Sequence, residues 1–173
     1  MNFFVLFSLP EEYLIDDILL RQRYETLQRL THPDKYANNS AQEKRMYMQK
    51  NAQVNDGYHV LSSPVERGLH LLALREVDLP SEQETIGDNA FLMEQMELRE
   101  ALAEAETETD FVSVERQLSA MQADYTDSAA LLLAENVDEK NIQAAVVLNK
   151  LRFVLKLAQE VKRQKQYKLN SKG

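Results

Sequence analysis

The fold follows from residues 21–45, whose sequence is RQRYETLQRLTHPDKYANNSAQEKR. Around the first half of this stretch, apolar side chains recur at the spacing of one helix face: Ile18, Leu19, Tyr24, Leu27 and Leu30. Pro33 disfavours helical geometry at His32, so this helix is predicted to end near Thr31. A polar loop follows, and a second long helix is predicted to begin at Ala41. The stretch therefore predicts a helical hairpin.

More helices are predicted after the hairpin. The second long helix continues through the apolar residues Met46, Met48, Ala52, Val54, Tyr58 and Leu61. Pro64 suits the first turn of a further, short helix. Beyond residue 87, three helical segments at about 88–106, 110–133 and 138–168 have the spacing of an antiparallel three-helix bundle.

The helical pattern lapses between 76 and 87, EVDLPSEQETIG, which is rich in polar residues and contains Pro80 and Gly87. This segment is predicted to be a linker. The sequence thus predicts an all-α protein in three parts: an N-terminal domain at 1–75 with a helical hairpin plus short helices, a linker at 76–87, and a three-helix bundle at 88–173.

The composition excludes several classes of protein. With 4 Gly and 4 Pro in 173 residues, the chain is poor in turn residues, which argues against an all-β fold. The absence of Cys excludes disulfides and thiolate metal sites. The net charge of −8 disfavours nonspecific binding to nucleic acid or anionic membranes. No apolar run is long enough to span a membrane, and the N-terminal residues do not resemble a signal peptide, so a cytoplasmic location is expected.

The tripeptide His32-Pro33-Asp34 lies in the predicted loop of the hairpin. It is open to a structural interpretation, in which Pro33 stops the helix and Asp34 favours a turn. The bases around the loop are Arg21, Arg23, Arg29 and Lys35, against the acids Glu25 and Asp34. Such a charge run is often a solvated helix face, but a cationic helix that leads into an exposed loop also steers an acidic partner.

The first helix of the predicted bundle carries more apolar residues than one buried face needs. At about 100° per residue, one core stripe contains Phe91, Leu98, Leu102 and Ala105. Leu92, Met93 and Met96 lie off this stripe, beside Glu97 and Glu100. Either the helix is buried more widely, or the linker packs over Leu92, or these residues form an exposed apolar patch with an acidic rim, which is typical of a partner site.

The third helix of the bundle presents a similar exception. Its predicted core positions are Val147, Leu151, Val154, Leu155 and Ala158. Phe153 points nearly opposite, among polar residues, where an aromatic ring either covers a neighbouring element or anchors an interface.

These features together resemble a known family. A basic helix, the HPD tripeptide and a long helix that ends in Tyr58-His59-Val60-Leu61 resemble a J-domain, the module that acts with DnaK-class ATPase chaperones. The nearly full-length match is to the HscB family of J-type co-chaperones of iron–sulfur cluster assembly. It rests on HPDKY at 32–36, PVERGLHLL at 64–72, FLMEQMELRE at 91–100 and LRF at 151–153. The chain departs from the family's usual Ala and Tyr at Gly68 and His70.

The resemblance implies two binding sites and no catalytic residue. The chaperone HscA is expected to bind His32, Pro33, Asp34 and Lys35 together with Arg21, Arg23 and Arg29. The scaffold protein IscU is expected to bind Leu92, Met93, Met96 and Phe153, with Glu97, Glu100 and Glu104 as a polar rim. Neither a cofactor nor a metal is expected, because the chain has no Cys and its three His are too few for ligation.

Two alternatives remain open. In the first, the chain is a J-type adaptor that delivers a client other than IscU. In the second, more remote alternative, it is an enzyme. Nothing in the sequence supports the second alternative, since no nucleophile–base pair, phosphate loop or metal-ligand spacing is present. The five bases from 162 to 173 are explained by the helix dipole, which favours cations at a helix C-terminus, so neither nucleic acid nor membrane is expected as a partner.

Overall fold

The structure is a computed structural model that describes residues 1–79, 81 and 88–172. Its elements are α1 (Phe3–Leu6), α2 (Asp17–Thr31), a 3-10 turn (Pro33–Tyr36), α3 (Ala41–Ser62), α4 (Pro64–Leu74), α5 (Asn89–Glu104), α6 (Glu108–Leu133) and α7 (Asp138–Asn170). No strand occurs in the described part of the chain, and the predicted all-α class is confirmed. Helix α2 ends at Thr31, α3 begins at Ala41 and α4 begins at Pro64, as the sequence predicts.

The chain divides into two compact units, Met1–Glu76 and Val77–Gly173. The predicted linker at 76–87 falls largely outside the described residues. No helix in the described ranges combines the length and the apolar character needed to cross a membrane.

Side chains at the helix starts explain where the N-terminal helices begin. The Asp16 carboxylate accepts a hydrogen bond from the Leu19 amide at 3.0 Å and caps α2. Ser40 and Glu43 form a reciprocal capping box at the start of α3, in which the Glu43 amide donates to Ser40 Oγ at 3.3 Å. Each cap satisfies amide groups that have no partner within the first helical turn, so the boundaries are set locally.

The core of the N-terminal unit differs from the predicted helix faces. Its fully buried side chains are Phe4, Phe7, Leu20, Val54, Leu61, Leu71 and Leu72. Ile18 and Leu30 were predicted to face the core of the hairpin but are 72% and 51% exposed, and Met46 and Met48 are exposed as well. The apolar core therefore occupies the end of the hairpin away from the loop, where α1 and α4 cover it.

A buried arginine joins the segments of this unit. Arg67 donates from Nε to the Tyr13 carbonyl and from Nη1 to the Leu61 carbonyl, both at 2.7 Å. Its guanidinium lies 5.1 Å from the centre of the Tyr13 ring. Desolvation lowers the pKa of Arg67 and raises that of Tyr13. The charge is buried but hydrogen-bonded, as a stable buried cation requires.

In the second unit, α6 and α7 pack antiparallel. Lys165, near the end of α7, forms ion pairs with Glu108 at 2.8 Å and Glu115 at 3.4 Å, both near the start of α6. Thr107 and Asp110 form a capping box that starts α6. The three helices share a core of Leu98, Leu102, Ala105, Phe111, Val114, Leu118, Val154, Leu157 and Val161.

Helix α5 runs parallel to α7. Asp88, which caps α5, pairs with Lys150 at 2.6 Å, and Lys168 donates to the Ala105 carbonyl beyond the end of α5 at 2.7 Å. The predicted core stripe of α5 is confirmed, since Phe91, Leu98, Leu102 and Ala105 are all buried. The predicted face of α7 is only partly right. Leu151 and Val154 are buried, whereas Val147, Leu155 and Ala158 are half-buried. Leu148, Leu157 and Val161, which were outside the predicted face, are buried as well.

Candidate interaction surfaces

The HPD loop, His32-Pro33-Asp34, projects into solvent at the end of α2. The backbone turns extended at His32, and Pro33 begins the 3-10 turn. The Asp34 amide donates to His32 Nδ1 at 3.3 Å, and the Lys35 amide donates to the His32 carbonyl at 3.1 Å. The His32 and Asp34 side chains are 52% and 93% exposed. An imidazole and a carboxylate are thus presented together on a short turn with a defined conformation.

An aromatic pair closes the loop on its C-terminal side. The rings of Tyr36 and Tyr47 stack with centres 3.4 Å apart and planes 4° apart, and the Tyr36 hydroxyl donates to the Leu30 carbonyl. Desolvation, and then the interactions with Tyr47, raise the pKa of Tyr36. Tyr36 therefore connects the loop to both helices of the hairpin.

The basic residues predicted for this surface lie in different environments. Arg29 and Lys35 line a shallow depression of about 550 Å³ with His32 and Asp34. Arg21 is exposed slightly more than two turns before Arg29 on α2. It lines a separate groove with Ile18 and Tyr58.

Arg23 has a different role from its neighbours. Its Nη1 donates to the Phe7 carbonyl at 2.8 Å and also to the Ser8 carbonyl. About 200° separates it from Arg21 around the helix. Arg23 thus holds the segment after α1, a structural role that the charge pattern of the sequence did not reveal.

The predicted apolar patch on α5 is exposed in the structure. Met93 and Met96 are 62% and 70% exposed, and Leu92 is half-buried. The carboxylates of Glu97, Glu100 and Glu104 are exposed on the same helix. Of the interpretations left open by the sequence, wider burial of this helix does not hold for Met93 and Met96.

Phe153 lies on the side of α7 that faces α5. Its ring meets that of Phe91 edge-on, with centres 6.2 Å apart, and Phe91 meets Tyr125 in the same way at 6.1 Å. Lys150, one turn before Phe153, places its ammonium 5.4 Å from the centre of the Phe91 ring. Phe153 is half-buried by these contacts. We call Leu92, Met93, Met96 and Phe153 the α5–α7 face.

A groove between α5 and α7 lies beyond this face. It has a volume of about 390 Å³, and its lining includes Arg99 and Ala103 of α5 and Lys156 and Glu160 of α7. Leu92, Met96, Arg99 and Ala103 recur at the spacing of one helix stripe, so the groove extends the α5–α7 face toward the C-terminal end of the helix. The sequence analysis did not single out Arg99, although it lies seven residues after Leu92 and therefore on the same stripe of the helix.

The residues that the structure describes do not form a metal centre. Across the described ranges, no group of three or more His, Cys, Asp or Glu side chains is arranged to hold a metal ion. His70, the histidine nearest the core, accepts a hydrogen bond from the Phe3 amide at 3.2 Å and stacks on Phe4. The two surfaces offer shape, apolar area and charge, which suits binding.

Comparisons with known proteins agree with this architecture. Residues 87–162 match the family model described as the HSCB C-terminal oligomerisation domain. The co-chaperone protein HscB homolog of Shewanella oneidensis is 41% identical over 167 residues, which cover 94% of this chain and 96% of the relative. Chaperone HscB from Vibrio cholerae superposes with a TM-score of 0.85 at 36% identity, covering 96% of this chain and 99% of that one. Human co-chaperone protein HscB superposes with a TM-score of 0.88 at 32% identity, and the superposition covers 95% of this chain and 82% of the human chain.

Proposed function

Because the chain belongs to the HscB family, the J-type co-chaperones of iron–sulfur cluster assembly, we propose that it connects two partners, the DnaK-class chaperone HscA and the scaffold protein IscU. It binds IscU, delivers it to HscA and stimulates ATP hydrolysis by HscA during cluster maturation. The assignment keeps 1–75 as the J-domain, 76–87 as the linker and 88–173 as the scaffold-binding bundle. The proposed function takes place in the cytoplasm.

The observation that carries the proposal is the exposed pair of His32 and Asp34 on a fixed turn at the end of a basic helix. An exposed carboxylate forms strong charge-assisted hydrogen bonds with an arginine once docking removes the water around it. Arg29 and Lys35, beside it, attract an acidic surface of the chaperone. No residue of this chain acts on ATP. The stimulation comes from tighter binding to the chaperone conformation that hydrolyses ATP, which is an allosteric coupling.

The α5–α7 face supports the scaffold side of the proposal. Exposed Met93 and Met96 provide flexible apolar contacts, and Phe153 provides an aromatic anchor. The carboxylates of Glu97, Glu100 and Glu104 form the polar rim. The client-binding and chaperone-binding residues belong to different units, so the two functions are separable by mutation.

The test is the steady-state ATPase rate of HscA with this protein, with and without IscU. We expect stimulation by the protein alone and a larger, synergistic stimulation when IscU is present. His32→Gln and Asp34→Asn should fold normally, because both side chains are exposed, and should abolish stimulation. Normal stimulation by either variant would refute the role of the loop.

The scaffold side is tested with Leu92→Ala, Met93→Ala and Phe153→Ala combined. IscU binding measured by calorimetry should be lost, while stimulation of HscA without IscU survives. Leu131→Ala is the matched control, because Leu131 is an exposed apolar residue of the same unit outside the α5–α7 face. If the triple variant still binds IscU, the α5–α7 face is not the IscU-binding site. If the parent protein does not bind IscU yet stimulates HscA, it is a J-type adaptor for another client.

A further inference from the structure

A chain of polar side chains crosses the hairpin between α2 and α3. The Tyr24 hydroxyl donates to Asn55 Oδ1 at 2.8 Å, and Asn55 Nδ2 donates to Asn51 Oδ1 at 3.2 Å. Asn51 Nδ2 donates to Thr31 Oγ1 at 3.1 Å, and Thr31 Oγ1 donates to the Leu27 carbonyl at 2.8 Å. We call Tyr24, Asn55, Asn51 and Thr31 the polar ladder. It ends at Thr31, the residue that immediately precedes His32.

Each link of the ladder has a fixed direction. Asn51 and Asn55 each use the amide oxygen to accept and the amide nitrogen to donate, so the bonds run from Tyr24 to the Leu27 carbonyl without a break. If α3 shifted by one residue along α2, every link between the helices would be lost. Directional polar contacts of this kind specify register, whereas apolar contacts tolerate sliding and rotation.

The ladder runs from the apolar core of the hairpin toward the loop. Leu20 and Leu61 are buried at the end of the hairpin away from the loop, and Val54 is buried next to Asn55 of the ladder. Near the loop, Leu30 and Met48 are exposed, and Thr31 is one of the few buried side chains. Tyr24 is held in turn by stacking on Tyr58, with ring centres 4.0 Å apart. The position of the loop end relative to α3 therefore depends on these hydrogen bonds, together with the stack of Tyr36 on Tyr47.

We propose that the polar ladder positions the HPD loop, by setting the register of α2 against α3 at the residue before His32. This inference rests on the proposed function of the loop in chaperone docking. The residues of the polar ladder are positioning residues, because Thr31 and Asn51 affect docking only through the placement of His32 and Asp34. Loss of the ladder leaves the loop exposed but spreads it over several conformations, so that only a fraction of molecules is competent to dock and the apparent affinity falls by that fraction.

The decisive variant combines Thr31→Val with Asn51→Leu. It replaces both partners of the link nearest the loop with apolar groups of similar shape, an exchange that is often neutral for stability. Asn55 Nδ2 also loses its acceptor on Asn51, so we expect the melting temperature to fall slightly and the maximal stimulation of HscA to stay unchanged. The concentration of co-chaperone at half-maximal stimulation should rise about fivefold to tenfold, as for a competent fraction of roughly a fifth to a tenth. Amide exchange at Lys35, whose bond to the His32 carbonyl closes the turn, should speed up.

Two single variants serve as controls. Thr31→Ser keeps the hydroxyl, so its concentration at half-maximal stimulation of HscA should equal that of the parent protein. Thr26→Val makes the same chemical change on α2, but Thr26 donates to the Gln22 carbonyl on the exposed side and is outside the ladder. It should behave like the parent protein.

The outcomes separate this inference from the proposed function. A stable double variant with a parental half-maximal concentration would overturn the ladder while leaving the role of the loop intact, provided that His32→Gln abolishes stimulation. If His32→Gln has no effect, the proposed function fails instead. If the double variant does not fold, Tyr24→Phe decides, because it removes one hydroxyl and keeps the ring on Tyr58. A half-maximal concentration raised about twofold supports the ladder, and an unchanged one contradicts it.

Discussion

The ring of Phe153 meets the ring of Phe91 edge-on, with centres 6.2 Å apart and planes 61° apart. Phe91 belongs to the buried stripe of α5, whereas Phe153 lies off the core stripe of α7 and remains half-buried. The contact therefore links the core of the bundle to its surface. It also means that Phe153 contributes both to packing and to the α5–α7 face, while Met93 contributes only to the face.

This difference predicts separate effects for two substitutions. Met93→Ala should weaken IscU binding by about 1–2 kcal/mol, the range for an interface anchor, without changing the melting temperature. Phe153→Ala should weaken binding by a similar amount and also lower stability by about 1 kcal/mol, because the aromatic pair is lost. Calorimetry and thermal unfolding measure the two effects. Equal melting temperatures for both variants would contradict the packing role of Phe153.

The arginines of α2 should fall into two classes. Arg23→Gln removes a guanidinium that donates to the Phe7 and Ser8 carbonyls, so we expect a loss of about 1–2 kcal/mol in the free energy of unfolding. Arg29→Gln should leave stability unchanged and weaken HscA stimulation, with a smaller dependence on salt than the parent shows. Urea unfolding and ATPase titrations at two salt concentrations test both. A stable Arg23→Gln variant would argue against the structural role.

Tyr36 allows the ring and the hydroxyl to be tested separately. Tyr36→Phe keeps the stack on Tyr47 and loses only the bond to the Leu30 carbonyl, so the half-maximal concentration for HscA stimulation should rise about twofold to threefold. Tyr36→Ala also loses the stack, and the rise should reach about tenfold. If Tyr36→Ala matched the parent in the ATPase titration, the aromatic closure of the loop would have no functional role.

Gly57 should not tolerate a larger side chain. A Cβ at this position in α3 would approach Phe3 Cδ1 to 2.8 Å and Phe7 Cε2 to 2.9 Å. Overpacking typically costs about 1–3 kcal/mol, against a gain of about 1 kcal/mol from helix propensity. Gly57→Ala should therefore lower the free energy of unfolding by up to about 2 kcal/mol in urea denaturation. Adding Phe3→Leu should recover part of the loss, and strict additivity of the two changes would contradict the clash.

The stability of the N-terminal unit should fall in mild acid because of His70. Burial first, and then the N-terminal ammonium, lower the pKa of His70, and Glu11 opposes them. The neutral ring accepts the Phe3 amide in the folded state. Below about pH 6.5 the unfolded chain binds the proton more readily than the folded one. The free energy of unfolding therefore decreases as the pH falls below this value, and above it His70 has no effect.

His70→Gln is the matched variant for this effect, because its amide oxygen still accepts a hydrogen bond but does not titrate. Urea denaturation at pH 7 and pH 5 should show a smaller loss of stability for His70→Gln than for the parent protein. Carboxylates common to both proteins cancel in the comparison. Parallel losses in the two proteins would contradict the assignment to His70.

Much of the architecture could be predicted because its signals are local. The helix end at Thr31, the starts at Ala41 and Pro64 and the all-helical class follow from proline geometry, capping residues and apolar periodicity. The apolar residues of α5 outside its core stripe were also visible, since one helix in a bundle buries one face. The resemblance to a family rested on short motifs that the sequence displays directly.

The remaining features depend on which elements pack against each other. Ile18 has the spacing of a core residue but is exposed, Arg23 resembles a surface charge but holds the Phe7 carbonyl, and Phe153 finds Phe91 on another helix. The polar ladder was hidden for the same reason, because Asn51 and Thr31 are typical surface residues until α3 lies against α2. Periodicity along one helix determines which residues share a face. Only the tertiary structure decides which faces are covered, because burial and hydrogen bonding depend on groups distant in the chain.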